Sequence, residues 1–361
     1  MKKSLLLSAA ALSLASLSSN YSFAGEFAPR ISGVIPFEIQ NDWAYDSDDP
    51  DAEVNTLTTE IEPYFTLSFN ERLALEAGFV FEPVQAPDAG DDTEFENEGL
   101  FVQEVKLTYS EDNFGLFAGK YNPTFGTAWD LAPGIYGTDF AEDYELTERI
   151  GFGGSCSFES AQTGRHTVTG NTFFLDATVL SESTITKRGD TDKSDGGVSN
   201  TENFSSFSVT LDSESIAAIE GLNTHVGYYN QSEGDADVDL DNEIGYAIGA
   251  NYTFPVSEKV KANVLGEWVG IRNSGGSSDD VNYLTASLGL TLYENWNVAA
   301  SYTKRDTDVE DGTNIDDRLY QISAGYEFDN GFSVDVGYRG SQESDVDTHI
   351  LGGLLAYTYE F

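Results

Sequence analysis

The feature that most constrains this chain is an alternation of apolar and polar residues, repeated in segments of about ten residues along its length. In residues 57–69, for example, the odd positions are mostly Leu, Ile and Phe, and the even positions are mostly Glu, Thr and Ser. Side chains of a β-strand point alternately to its two faces, so each segment has one apolar and one polar face. Many such segments in series predict an antiparallel transmembrane β-barrel, with lipid outside and water inside.

The pattern divides the chain into sixteen predicted strands, joined alternately by short turns and long loops rich in Asp, Gly and Ser. An even number of strands places both chain ends on the same side, at the short turns, which we expect to face the periplasm. The predicted fold is therefore an all-β, up-and-down barrel, most simply of sixteen strands, with fourteen or eighteen left open. The strands are predicted to start near Phe27, Val54, Arg72, Gly99, Phe114, Glu148, His166, Asn203, Leu222, Asn242, Lys259, Val281, Trp296, Asp317, Phe332 and Thr348.

Two places fit the strand pattern less well. Pro36 and Pro63 have no N–H to donate to a ladder, and a closed barrel has no edge strand on which to place them. We therefore expect β-bulges at both prolines. In residues 213–222 the sequence fits a short helical turn as well as a tight hairpin.

The amino terminus has the features of a secretory signal peptide. Lys2 and Lys3 precede an apolar stretch at residues 5–17, and small residues near Ala24 form a cleavage site. We expect cleavage between Ala24 and Gly25, which leaves residues 25–361 as one barrel domain. The apolar stretch is shorter than the roughly 20 residues that a transmembrane helix needs.

Composition excludes several classes of protein. With 18 Lys and Arg against 62 Asp and Glu, the net charge of −44 argues against nucleic-acid binding, which depends on basic patches. The single cysteine, Cys156, excludes an internal disulfide and a CxxC motif. The acidic stretch at residues 233–243 places oxygens at every second residue, which would suit Ca²⁺, but it lacks the order of an EF-hand loop and is interpreted as a solvated loop. We predict neither a cofactor nor a metal site.

The carboxyl terminus ends on an alternating strand whose last residue is aromatic. Tyr357, Tyr359 and Phe361 fall on one face of this strand. This end resembles the carboxyl-terminal assembly signal of Gram-negative outer-membrane proteins. The resemblance implies that the protein resides in the cell outer membrane of a Gram-negative bacterium. It also implies contact with the barrel assembly machinery, membrane lipid and lipopolysaccharide.

One long loop differs from the others. Residues 122–147, after the fifth predicted strand, contain Phe, Trp, Tyr, Leu and Ile, whereas the loops at residues 181–202 and 232–241 are nearly without aromatics. A loop this apolar should pack against protein, because its side chains are poorly placed in water. Sixteen strands enclose a lumen wide enough for water, so we expect the loop to fold into it.

This arrangement resembles the general diffusion porins of Gram-negative outer membranes, which have sixteen strands and an inward-folded third outward loop. Residues 117–123 are similar to the Gly-Arg/Lys run that ends the fifth strand in many porins. The chain lacks the Pro-Glu-Phe-Gly-Gly run of enteric porins, and residues 123–126 are its nearest approach. It also lacks a cluster of arginines within one strand. The resemblance implies a homotrimer that passes small hydrophilic solutes and cations.

The candidate constriction follows from that resemblance together with strand parity. Porins set acidic loop residues against basic wall residues, and acids outnumber bases in the lumen predicted here, so we expect a preference for cations. The loop acids are Asp130, Asp139, Glu142, Asp143 and Glu145, and the wall bases are Arg30, Lys106, Lys120, Arg149 and Arg339.

Two other functions were considered. In a substrate-specific, sugar-type channel, aromatic residues such as Tyr64 and Trp129 would form a stacking path. An outer-membrane protease would use the Asp347 and His349 pair to activate water, but no spacing places further carboxylates opposite it. We predict no catalytic residues and no enzymatic activity.

Overall fold

The computed structural model describes residues 29–189, 191–234, 240–310 and 312–361. Within them, sixteen strands form one antiparallel sheet that closes on itself, because β1 pairs with β16. This confirms the predicted barrel, and each strand begins within a few residues of its predicted start. The strands are β1 (Arg30–Ser47), β2 (Asn55–Ile61 and Tyr64–Ser68), β3 (Leu73–Pro83), β4 (Glu98–Glu111), β5 (Phe114–Tyr121), β6 (Arg149–Ser160), β7 (Gly164–Leu175), β8 (Ser206–Glu214), β9 (Leu222–Gln231), β10 (Glu243–Ser257), β11 (Val260–Arg272), β12 (Asp280–Leu292), β13 (Trp296–Asp308), β14 (Ile315–Glu327), β15 (Phe332–Glu343) and β16 (Val346–Glu360).

The loops carry the remaining regular structure. A four-residue helix, α1 (Ala128–Leu131), lies between β5 and β6. No helix in the described part of the chain has the length and hydropathy needed to cross a membrane. Two short segments, Thr93–Glu94 and Thr184–Ile185, pair with β2 and β4. The 3-10 turns are Pro50–Ala52, Glu142–Tyr144, Lys193–Asp195 and Ser274–Gly276.

The two faces of the wall differ as the alternation predicts. On β11, Trp268 is 41% exposed, whereas its neighbours Glu267 and Val269 are buried. On β13, Tyr302 is exposed, and Ser301 and Thr303 are buried. The outer face is therefore apolar, as contact with lipid requires, and the polar face lines the interior.

The expectation of a β-bulge between β1 and β2 is wrong. Strand β2 is interrupted at Pro63, but its register against β1 is unchanged on either side of the break. Opposite it, the Pro36 carbonyl accepts a hydrogen bond from the Glu62 backbone N–H at 3.2 Å. The two prolines therefore lie close together, where the hydrogen-bond ladder is interrupted. The register shifts instead between β3 and β4, at Gly78 and Phe79. The two-residue interruption of β2 accommodates the missing proline N–H. The strand therefore needs no inserted residue, which is what a β-bulge would add.

Residues 215–221 form turns in which Ile219 donates its backbone N–H to Ile216, and Leu222 donates to Ile219. Of the two possibilities left open by the sequence, the short helical turn agrees better with these hydrogen bonds. The predicted signal peptide and its cleavage site at Ala24 and Gly25 lie outside the described residues. So do residues 235–239 of the acidic stretch.

Candidate functional site

The site is built around one element, residues 122–148 between β5 and β6, here called the long loop. Its aromatic side chains pack against the inner wall. Phe125 is fully buried, with its ring centroid 4.4 Å from that of Tyr229 on β9. The ring of Tyr144 lies 5.1 Å from that of Tyr283 on β12. Burial of this apolar surface explains why a loop of this composition is ordered against the wall.

Glu267 on β11 is the main polar anchor of the long loop. Its carboxylate accepts hydrogen bonds from the backbone N–H of Thr127 at 2.7 Å and of Ala128 at 2.9 Å. It also accepts from the hydroxyls of Thr127 at 2.8 Å and Tyr144 at 2.7 Å. These N–H groups begin α1 and would otherwise have no intrahelical partner. Hydrogen bonds to a charged group are stronger than neutral ones, so this contact fixes one end of the loop.

A histidine supports the same end. Gly126 donates its backbone N–H to Nε2 of His225 at 3.1 Å, and Nδ1 of His225 lies 2.7 Å from Asp212. Because Nε2 accepts, the imidazole proton belongs on Nδ1, where it is donated to Asp212. Gly126 has a φ of +67°, and a Cβ there would lie 2.7 Å from the Tyr144 ring. The loop therefore requires glycine at this position.

The middle of the long loop is bound to strands that do not neighbour β11. The Tyr136 hydroxyl donates to Asp42 on β1 at 2.5 Å. Gln321 on β14 donates its side-chain amide to the Pro133 carbonyl at 2.9 Å. The loop thus contacts the inner face of the sheet at widely separated strands.

Two ion pairs join loop acids to wall arginines. Arg339 on β15 binds Asp139 at 2.8 Å. Arg305 on β13 binds Asp143 at 2.7 Å and Asp317 at 2.6 Å, and its guanidinium lies 4.4 Å from the centroid of the Phe140 ring.

Sequence reasoning did not include Arg305 among the wall bases. The signal was available, because Arg305 continues the inward set of Ser301 and Thr303 at alternate positions. A strict application of parity along β13 would have placed it in the interior.

Two of the predicted wall bases lie at the end of the long loop. Lys120 is buried and binds Glu148 at 3.0 Å and Asp176 at 2.8 Å. Arg149 donates to the Gln231 side chain at 3.1 Å. Lys120 thus forms ion pairs with two carboxylates, whereas Arg149 hydrogen-bonds to a neutral amide. Arg188, from the loop after β7, also binds Glu148 and was missed by the sequence analysis.

The other two predicted bases lie apart from the loop acids. Lys106 binds Glu104 at 2.9 Å and Glu76 at 3.6 Å, and Glu104 in turn accepts a hydrogen bond from the backbone N–H of Asn122 in the long loop. Arg30 is exposed at the start of β1, opposite Ser68. In the described part of the chain, no contact joins Arg30 to the long loop.

The remaining loop acids have different surroundings. Glu142 accepts from the Thr138 hydroxyl at 2.7 Å, and Glu145 from the Asn122 side chain at 3.3 Å. Asp130 lies within α1, and burial raises the pKa of its carboxyl to about 6. A buried carboxylate loses hydration, which favours the neutral acid.

The aromatic and histidine residues of the two alternative functions have separate surroundings. The Tyr64 hydroxyl donates to Glu76, and the Trp129 indole donates to the Phe125 carbonyl. His349 stacks on Tyr338 and Tyr45, two aromatics of the outer wall. No group of three or more His, Cys, Asp or Glu side chains among the described residues is arranged to hold a metal ion.

Comparison with known proteins agrees with this architecture. A sequence model of a family described as Gram-negative porin matches residues 5–346. No curated protein matches the chain. Among solved structures, the chain is similar to Salmonella typhi OmpF in complex with daunomycin, with 16% identity and a TM-score of 0.59 over 92% of this chain and 97% of that chain. It is also similar to the trimer form of Vibrio cholerae OmpT, with 12% identity and a TM-score of 0.55 over 92% and 100% of the two chains. Pseudomonas aeruginosa OpdK with vanillate gives 8% identity and a TM-score of 0.56 over 92% and 99%.

Proposed function

Because the chain belongs to the Gram-negative porin family and lies in the bacterial outer membrane, we propose that it forms a water-filled, cation-preferring channel for small hydrophilic solutes. Solutes pass by diffusion down their gradients. Selection is by size and charge, with no bond-making step, no catalytic residue and no cofactor.

The observation that carries this proposal is the attachment of the long loop across the barrel. Barrels of this size enclose an aqueous passage, and its width depends on any element that folds into it. Contacts from Tyr136 to Asp42 on β1 and from Thr127 to Glu267 on β11 support a loop folded into the lumen. Solutes would then pass through the space that the loop leaves.

Charge pairing at the loop supports the cation preference. Glu267 holds the loop through neutral donors, so its negative charge is not cancelled by these contacts. Two loop acids are paired with Arg339 and Arg305. Acidic groups therefore dominate the passage, and rings of carboxylates favour cations.

Reversal potential under a KCl gradient tests this proposal. The purified protein in a planar bilayer should conduct ohmically, with a K⁺/Cl⁻ permeability ratio above one. Combined Asp139→Asn, Glu142→Gln and Asp143→Asn substitutions should lower the ratio, because they leave Arg339 and Arg305 without their loop acids. A ratio that stays at the wild-type value would exclude the loop as the selectivity element.

A substrate-specific channel is the second candidate. It is favoured by the aromatic content of the long loop, including Trp129, and by the likeness to OpdK, whose structure contains vanillate. Liposome swelling with charged and uncharged solutes of graded size separates the two functions. Rates that follow solute size support a general channel, and saturation by one sugar supports a specific one.

We further propose that the channel is a homotrimer in contact with outer-membrane lipid and lipopolysaccharide, inserted by the barrel assembly machinery. The likeness to a trimer form of OmpT supports the trimer. Chemical cross-linking in the native membrane tests it, and a product no larger than a monomer at full cross-linking would contradict it.

A further inference from the structure

The inner face of β1 and β2 carries a pair of acids that face each other directly. Glu38 on β1 lies opposite Glu60 on β2. Both are buried, with 8% of the surface of Glu38 and 7% of the surface of Glu60 exposed. Like charges directly across a ladder are destabilising. Their placement on the polar face of a closed barrel therefore costs stability.

Further carboxylates converge on this pair. Glu62 lies two residues after Glu60, at the interruption of β2, and is close enough to Glu38 and to Glu145 of the long loop to interact with them electrostatically. Asp335, on β15, interacts electrostatically with Glu38. No ion pair to Lys or Arg is found for Glu38, Glu62 or Asp335 among the described residues. Carboxyl groups are therefore concentrated where the wall meets Glu145 of the long loop.

A second and separate observation concerns acceptors without donors. Gln40, the next inward residue after Glu38 on β1, is 2% exposed. Its amide nitrogen donates to both carboxylate oxygens of Asp42 at 2.9 Å, which fixes the orientation of the amide. Two acceptors here, Oε1 of Gln40 and Oε2 of Glu38, are buried and have no hydrogen-bond partner in the described part of the chain. A buried acceptor left without a donor is destabilising.

We propose that this wall segment, formed by Glu38, Gln40, Glu60, Glu62, Glu145 and Asp335, is a binding site for organic cations that carry ammonium or guanidinium groups. Such groups have several N–H donors and no acceptor, so they complement carboxyl groups and the unpaired Oε1 of Gln40. The carboxylates are not grouped closely enough to hold a metal ion, which favours a larger cation. The inference deepens the proposed cation-preferring channel and rests on it.

Block of K⁺ current by putrescine tests the site. In planar bilayers, putrescine should reduce the current saturably, whereas 1,4-butanediol, its neutral analogue, should not. Glu38→Gln combined with Glu62→Gln should raise the half-blocking concentration by about tenfold, because two charge contacts are lost. Glu258→Gln, in the exposed turn after β10, is the matched control and should leave block unchanged. If the double variant does not fold, Glu38→Gln alone should shift block in the same direction.

The outcomes separate this inference from the proposed function. Equal block of the wild type and both carboxylate variants would overturn the binding site, while a K⁺/Cl⁻ ratio above one would leave the channel proposal intact. Equal block by Mg²⁺ and putrescine would overturn the assignment to organic cations. A ratio at or below one would instead reject the cation-preferring channel itself.

Discussion

Single charged side chains on the polar face of the wall have different roles because their neighbours differ. Lys120 is buried between Glu148 and Asp176, where it serves the structure of the loop's end. Arg305 lies between a loop acid, Asp143, and a wall acid, Asp317. It is therefore the base best placed to reduce the negative charge beside the loop.

Arg305→Gln should raise the K⁺/Cl⁻ permeability ratio roughly twofold, because a cation is removed and Asp143 loses its partner. Reversal potential in a KCl gradient measures the ratio. Lys304→Gln is the matched control, since Lys304 is the adjacent residue on β13 and points to the outer face, where it binds Asp306. An unchanged ratio in Arg305→Gln would contradict a role in selectivity.

Asp130 should make the selectivity depend on pH. Burial raises the pKa of its carboxyl to about 6, so it is ionised above that pH and neutral below it. Cation preference should therefore fall as pH decreases from about 7 to about 5. In Asp130→Asn the fall over the same range should be smaller, as measured by reversal potential at each pH. Identical pH profiles would show that Asp130 does not contribute.

At the scale of elements, the long loop is held by two kinds of contact. Phe125 and Tyr144 belong to a buried apolar cluster, and hydrogen bonds to Glu267 and Asp42 fix the position of the loop. The loop is thus attached to separate parts of a rigid wall. Removing one anchor should loosen one end without unfolding the barrel.

Glu267→Ala should increase the single-channel conductance and its fluctuations, because four hydrogen bonds that hold α1 and Tyr144 are lost. Each hydrogen bond to a charged group contributes about 1.5–3 kcal/mol. Ser287→Ala is the control on the neighbouring strand, since the buried Ser287 hydroxyl has no partner among the described residues. Conductance traces identical to the wild type would mean that the loop is held without Glu267.

At the scale of the whole molecule, the barrel depends on the closure between β1 and β16. Phe361 takes part in this closure, because its backbone exchanges hydrogen bonds with Gly33 at 3.0 and 3.1 Å. Its ring lies 6.2 Å from that of Phe65 and 5.8 Å from that of Tyr359. A Cβ on Gly33 would lie 2.8 Å from the Phe361 ring, so the glycine leaves room for it.

Phe361→Ala should reduce the amount of folded protein in the outer membrane severalfold without changing the ion selectivity of the channels that do form. Heat-modifiable mobility on gels measures the folded fraction. Phe158→Ala removes an exposed aromatic side chain away from this closure and should assemble normally. Equal folded yields for the two variants would contradict an assembly role for Phe361.

The sequence by itself predicted about sixteen strands, with fourteen or eighteen left open, and it determined their approximate bounds and the face that meets lipid. These follow from alternation, which is a local property of each strand and repeats at period two. The composition of residues 122–147 also identified the loop that differs from the others, since apolar side chains must be buried.

Only the tertiary structure decided which charges meet. The pairs of Arg305 with Asp143 and of Arg339 with Asp139 join residues more than 150 positions apart. The alternation along a strand predicts which face of the wall a side chain lies on, but it does not predict which distant residue the side chain contacts. The same limit applies to Pro36 and Pro63, whose adjacency across the ladder replaced the expected bulge. Alternation specifies orientation, whereas contacts between a loop and a wall depend on how the closed sheet arranges distant strands in space.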